Sequence, residues 1–127
     1  TAKQVKAESG AAMEKILDTW KFSKPEYRKA AERFVTMWTM SPVLGHWVGM
    51  STHDVGPRMD ELKPGMVFTI EPALTVPEEK IYIRLEDLIV ITDQGAKIVS
   101  NFVPRSIEAV EAEMKKPGLL KTYPRVD

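Results

Sequence analysis

The 127-residue sequence contains no cysteine, which excludes disulfides and thiolate metal sites. It has two histidines, His46 and His53, so any chemistry that needs an imidazole is confined to the stretch GHWVGMSTHD. It has no excess charge, because 18 Lys plus Arg balance 18 Asp plus Glu. Without a net positive field, neither nucleic acid nor an anionic membrane surface is an expected partner. No run approaches the roughly 20 apolar residues that span a bilayer. The N-terminal TAKQVKAESG has no apolar signal core, so a soluble, cytoplasmic protein is expected. The first residue is Thr1 rather than methionine, which fits a processed chain or a piece of something longer.

What is present, 43% hydrophobic and 28% charged residues, suits one globular domain with its own core. The pattern changes near Ser41. Before it the periodicity is helical: Val5, Ala12, Met13, Ile16, Leu17 and Trp20 can share one face, although Gly10 costs about 1 kcal/mol inside a helix. A second helix is marked by Ser23 and Glu26 as a capping-box pair and by Pro25 in the first turn. Tyr27, Ala30, Ala31, Phe34, Val35 and Trp38 then recur at helical spacing.

From Met40 onward glycine and proline interrupt short apolar runs. LKPGM centres a turn on Pro64 and Gly65, and MVFTIE follows as a strand. IYIRLEDLIVIT reads as a further β-branched strand, which Asp93-Gln94-Gly95 turns into AKIVS as a hairpin. A last helix is expected from about Ser106 to Lys116, stopped by Pro117-Gly118. Helix, helix, strands, helix is an α+β layout. There is no internal repeat or linker, and the terminal KTYPRVD carries no functional signal.

Two carboxylates stand out because they fall in apolar runs. Glu71 ends FTIEPA and Glu86 lies inside IYIRLEDLIV, and an isolated carboxylate taken out of water costs several kcal/mol unless it is paired or bound to a metal. Strand alternation puts Tyr82, Arg84 and Glu86 on one face and Ile81, Ile83, Leu85 and Asp87 on the other, which makes Arg84 and Glu86 neighbours. Structural roles also fit: an Arg84–Glu86 ion pair on an edge strand, a Glu71 turning to solvent before Pro72, and an Asp54 that caps a turn or fixes the tautomer of His53. Taken together, one imidazole and two carboxylates form a hard, oxygen-rich donor set suited to manganese, cobalt or zinc. A second, non-ligating histidine beside them could hydrogen-bond a substrate carbonyl or a developing oxyanion.

In this order, GHWVGMSTHD, PGMVFTIEPA and IRLEDLIVITDQG resemble the signature blocks of the pita-bread metallopeptidases, which include Xaa-Pro aminopeptidases, prolidases and methionine aminopeptidases. The resemblance covers about residues 41–103. It implies that residues 1–127 are the C-terminal portion of a pita-bread catalytic domain. It also implies that His46, Glu71 and Glu86 are metal ligands, with Glu71 doubling as proton shuttle and Glu86 bridging two ions. Arg84 would support Glu86, and His53 would contact substrate. The implied cofactor is a pair of divalent ions, manganese first, with cobalt or zinc as alternatives. The implied substrate is a peptide. His53-Asp54 resembles the proline-specific branch, because methionine aminopeptidases usually have glutamate after that histidine.

The sequence departs from the family pattern twice. Pro42 stands where the family has a histidine, four residues before the ligand histidine. The family's two metal-binding aspartates precede the paired helices, and Asp18, within a helical stretch, does not replace them. The expectation is therefore an Xaa-Pro exopeptidase in the intact protein and an inactive fragment alone. The missing half of the domain would be its natural partner, and exposed strand edges favour a homo-oligomer. A non-catalytic module that binds peptides or proteins, and a methionine aminopeptidase, are the alternatives.

Overall fold

In the computed structural model, which describes residues 1–118 and Lys121, helix α1 spans Ala2–Thr19. Thr1 starts it with a capping box: its hydroxyl accepts the Gln4 backbone N–H at 3.1 Å, and the Gln4 side chain returns to the Thr1 backbone. The face that α1 buries is not the one its apolar spacing predicts. Ala12 is exposed, and Ile16 and Trp20 are 57% and 63% exposed. Ala2, Lys6 and Gly10 are buried instead, with Val5 and Met13 beside them. Gly10 explains the rotation. A Cβ there would lie 2.3 Å from Thr39 Cγ2, so the two helices approach along small residues that carry no hydrophobic signal. Lys6 follows the same line: its stem is buried and its Nζ sits 3.8 Å from the centroid of the Trp38 ring.

Helix α2 spans Pro25–Met40 and buries Ala30, Ala31, Val35 and Trp38, as its spacing predicts. The expected capping box is absent. Lys24 is the N-cap, extended at φ −139°, with no side-chain cap bond. Pro25 disfavours the helical region for the residue before it, so the helix starts one residue later than the Ser23–Glu26 pairing requires.

Five strands follow: β1 Val67–Ile70, β2 Ala73–Val76, β3 Ile81–Arg84, β4 Asp87–Thr92 and β5 Gly95–Ile98. All pairings are antiparallel, as β1-β4-β5 in one sheet and β2-β3 in another. The turn before β1 has Gly65 at φ +90°, a value that favours glycine, and the β4–β5 hairpin turns with Gly95 at φ +116°. The run IYIRLEDLIVIT is two strands rather than one, divided at Leu85 and Glu86. Its partner divides opposite, at Glu71 and Pro72, because proline has no N–H to extend the ladder. The register nevertheless continues across the gap, with Ile70↔Asp87 on one side and Ala73↔Arg84 on the other. Glu71 therefore lies across from Glu86.

The core joins the two layers. Trp38 from α2, Leu44, Met59, Phe68 of β1 and Ile89 of β4 are buried together with Ala2. Phe68 is 1% exposed and meets the Trp47 ring edge to face, with centroids 6.0 Å apart. Alternation along β1 then decides the site: Phe68 enters the core, and Thr69 and Glu71 share a face. Helix α3, Ile107–Met114, lies within the span expected for the last helix, is capped by Ser106 and has no buried residue. Of KTYPRVD, all but Lys121 lies outside the described residues.

Candidate metal centre

His46 reaches the sheet through a short loop that lies along β1 like a further strand. Trp47 bridges to Phe68, the Thr69 N–H donates to the His46 carbonyl at 2.9 Å, and the Val48 N–H donates to the Val67 carbonyl at 3.3 Å. Gly45 permits this approach, because a Cβ there would sit 2.0 Å from the Thr69 carbonyl oxygen. This pairing sets His46 beside Thr69, while the β1–β4 register sets Glu86 across from Glu71. Three distant parts of the chain thus meet at one end of β1.

The side chains converge. His46 Nε2 lies 3.5 Å from Glu71 Oε1 and 3.9 Å from Glu86 Oε1. The other carboxylate oxygens are held apart by one guanidinium: Arg84 Nη1 is 3.1 Å from Glu71 Oε2 and Nη2 is 3.4 Å from Glu86 Oε2. At the half-exposed Arg84 these contacts add little to stability, but they fix which oxygens point inward. The second imidazole nitrogen is also assigned a role. His46 Nδ1 is 2.9 Å from the Trp47 carbonyl, and a donated N–H there leaves Nε2 as a lone pair facing the two carboxylates.

Two acceptor oxygens and an imidazole lone pair facing one point repel each other unless a cation or proton lies between them. The set suits a hard divalent ion: donors bound at about 2.1 Å around one ion lie about 3.0–3.4 Å apart, so the 3.5 Å and 3.9 Å separations here would close by small side-chain shifts. The three ligand atoms all lie within 4.8 Å of one another, and among the described residues no other such group of three forms. A cleft of about 370 Å³, lined by Val48, Thr52, Thr69 and Leu88 with His46 and Glu86, opens beside them.

His53 is adjacent, its ring meeting that of His46 edge to face with centroids 4.3 Å apart. Asp54 has a local structural task. Its carboxylate accepts the N–H groups of Met50 and Val55 at 2.8 Å and that of Ser51 at 3.4 Å, and its own N–H donates to the Trp47 carbonyl. These backbone donors, Val55 first and then Ser51, hold the carboxyl below its ordinary pKa of 3.8. A lowered folded-state pKa stabilises the loop above that ordinary value, and the contribution is lost as pH falls through the lower one. Protection of the Met50 and Val55 amides, relative to their intrinsic exchange at each pH, should therefore fall in acid below about pH 4. Unchanged protection there would contradict the role.

Some contributing residues carry no signal in the sequence. Thr69 is hidden in an apolar strand. Ser100 and Arg105, which hold Asp87 at 2.7 Å each and so fix the start of β4 next to Glu86, look like ordinary loop residues.

With this geometry in place, relatives become informative. The profile of Metallopeptidase family M24 matches residues 5–93. The chain belongs to this family. It is 43% identical over 83 residues to the Xaa-Pro aminopeptidase of Escherichia coli, covering 56% of this chain and 19% of that protein. It is 32% identical over 108 residues to Xaa-Pro aminopeptidase 3 of Mus musculus, covering 76% and 20%. A histidine-to-alanine variant of Escherichia coli aminopeptidase P superposes with a TM-score of 0.58 at 31% identity, over 89% of this chain and 28% of that one. The M24 chain thus spans about a fifth of the length of its curated relatives, and it forms an α+β portion of the pita-bread fold. Membership in a metallopeptidase family implies use of a divalent metal, and His46, Glu71 and Glu86 form a possible ligand group for it. Among the described residues no helix is long and apolar enough to cross a membrane.

Proposed function

We propose that this M24 chain supplies the carboxyl-terminal ligands and the proton-transfer group of a peptidase that cleaves Xaa-Pro bonds at peptide N-termini or in dipeptides. The observation that carries the reading is the approach of His46 Nε2 to the inner oxygens of both Glu71 and Glu86. Residues 1–127 are read as the C-terminal portion of the catalytic domain. Two further ligands, the family's aspartates, would come from the other part of that domain and complete a site for two ions, with manganese the preferred metal and cobalt or zinc able to substitute. A divalent cation bound there polarises water enough to make it a nucleophile near neutral pH.

The chain's own residues supply the rest. Glu71 accepts the proton from the attacking water and delivers it to the leaving amine. Glu86 contributes charge that balances the cations. Arg84 holds the outer oxygen of each carboxylate. His53 hydrogen-bonds the oxyanion that forms on the scissile carbonyl. Pro42 cannot donate or accept through an imidazole, so substrate contact at that position is lost. Asp54 supports the Xaa-Pro branch over the methionine-specific one.

Alone, the chain should be inactive, because three ligands hold less charge than two dications require. Ile83 and Leu85, 54% and 51% exposed on one face, and Tyr82, 60% exposed on the other, leave apolar surface that supports docking to the remaining half or to a second copy. One experiment covers both points: chromatography and an Xaa-Pro peptide assay in manganese, on the chain alone and joined to an upstream M24 half. We expect an oligomer without turnover, then a joined form that releases the residue before proline and loses this activity in Glu86→Gln. A fully active Glu86→Gln, or cleavage indifferent to proline, would overturn the reading.

A further inference from the structure

We infer that Thr69 is a positioning residue that sets the mutual aim of His46 and Glu71; the inference rests on reading the cluster as a metal site. Thr69 is 4% exposed on β1. Its hydroxyl is used twice: it accepts the His46 backbone N–H at 3.0 Å and donates to Glu71 Oε1 at 3.0 Å. The recipient is the same oxygen that faces His46 Nε2 at 3.5 Å. The Thr69 backbone N–H grips the His46 carbonyl as well, at 2.9 Å. One residue thus binds both backbone polar groups of the histidine and the inner carboxylate oxygen of the glutamate.

The hydroxyl is not needed for the strand. Thr69 stands in VFTI, where valine would fill nearly the same volume and suit the strand as well, and where a buried hydroxyl is destabilising unless it is satisfied. Its effect is on orientation. Arg84 holds only the outer oxygen of Glu71, from a half-exposed side chain. With Thr69 on the inner oxygen the carboxylate is held at both ends and cannot rotate about its terminal bond. The lone pair left on Oε1 then faces the point that His46 Nε2 faces. Gly45 keeps the space open, because a Cβ there would come within 2.6 Å of the Thr69 hydroxyl.

The test compares Thr69→Val, Thr69→Ser and Thr69→Ala in the 127-residue chain, measuring manganese affinity by calorimetry and metal-free unfolding in parallel. Thr69→Val should bind manganese about 10–100-fold more weakly, the range typical of groups that orient metal ligands. Thr69→Ser should stay within about threefold of the starting protein, rescued by the hydroxyl. A purely structural role would lower the unfolding temperature without separating Ser from Val in affinity. If the Val variant does not fold, the Ser and Ala pair decides, since they differ by the hydroxyl alone. Equal manganese affinity across either pair overturns the inference. Glu71→Gln serves as the control: if it abolishes binding while Val or Ala matches the starting protein, only the role of Thr69 fails. If the unsubstituted chain binds no manganese, the metal reading fails and this inference fails with it.

Discussion

Glu71→Gln is expected to weaken manganese binding by the isolated chain at least about a hundredfold, more than loss of an orienting partner costs, while leaving the metal-free fold almost unchanged. The substitution keeps size and shape but removes the charge that faces the cation. It also creates a local conflict. As a carboxylate, Glu71 accepts from Thr69 on one oxygen and from Arg84 on the other. An amide offers one oxygen and one N–H₂, so it can serve one of these donors and must point its own donor at the second. The remaining amide oxygen therefore loses either the inward aim or the guanidinium. The stability cost stays below about 1 kcal/mol, because the Arg84 pair is partly solvated. Calorimetry with manganese and a thermal melt without it separate the two effects. Undiminished affinity in the variant would remove Glu71 from the ligand set.

The second large effect falls on the fold around the site. Gly45→Ala would place a Cβ 2.0 Å from the Thr69 carbonyl oxygen and 2.7 Å from its carbon, both backbone atoms of β1. Neither can move without breaking the β1–β4 ladder, so the loop must withdraw. With it go the Thr69–His46 bonds, the Trp47–Phe68 bridge and the T-shaped ring contact behind it. Overpacking of this kind costs about 3 kcal/mol, and a domain of this size would lose roughly 10 °C in melting temperature. The displaced imidazole would also leave the two glutamates without their nitrogen partner, so manganese affinity should fall with the melting temperature. A variant that melts like the parent would show that the loop does not pack on β1 as described.

How far the sequence foresaw this site differs by residue. The spacing in α2 gave its buried face correctly, because Ala30, Phe34 and Trp38 are apolar and point the same way. It misplaced the face of α1, where contact is made by Ala2, Gly10 and the stem of Lys6, residues whose contribution is smallness or reach rather than hydrophobicity. Alternation in IYIRLEDLIVIT put Arg84 beside Glu86, and the structure keeps that contact although the run is two strands. What alternation along one strand could not show is that Arg84 reaches Glu71 as well, because that depends on register between strands. The break at Pro72 was visible in the sequence; its consequence, two glutamates facing each other in an interrupted ladder, was not. Thr69 was invisible for a simpler reason. A buried threonine in a strand looks like any β-branched filler until its hydroxyl is seen between two ligand candidates.

The proposed function stands on His46, Glu71 and Glu86 holding one divalent cation between them. Crystals of the chain grown with manganese, with data collected to locate its anomalous scattering, test it most directly. One strong peak per chain is expected, about 2.0–2.3 Å from His46 Nε2 and from an oxygen of each glutamate. A well-ordered site with no peak at saturating manganese, or an ion held elsewhere while these three side chains stay as they are, would contradict it.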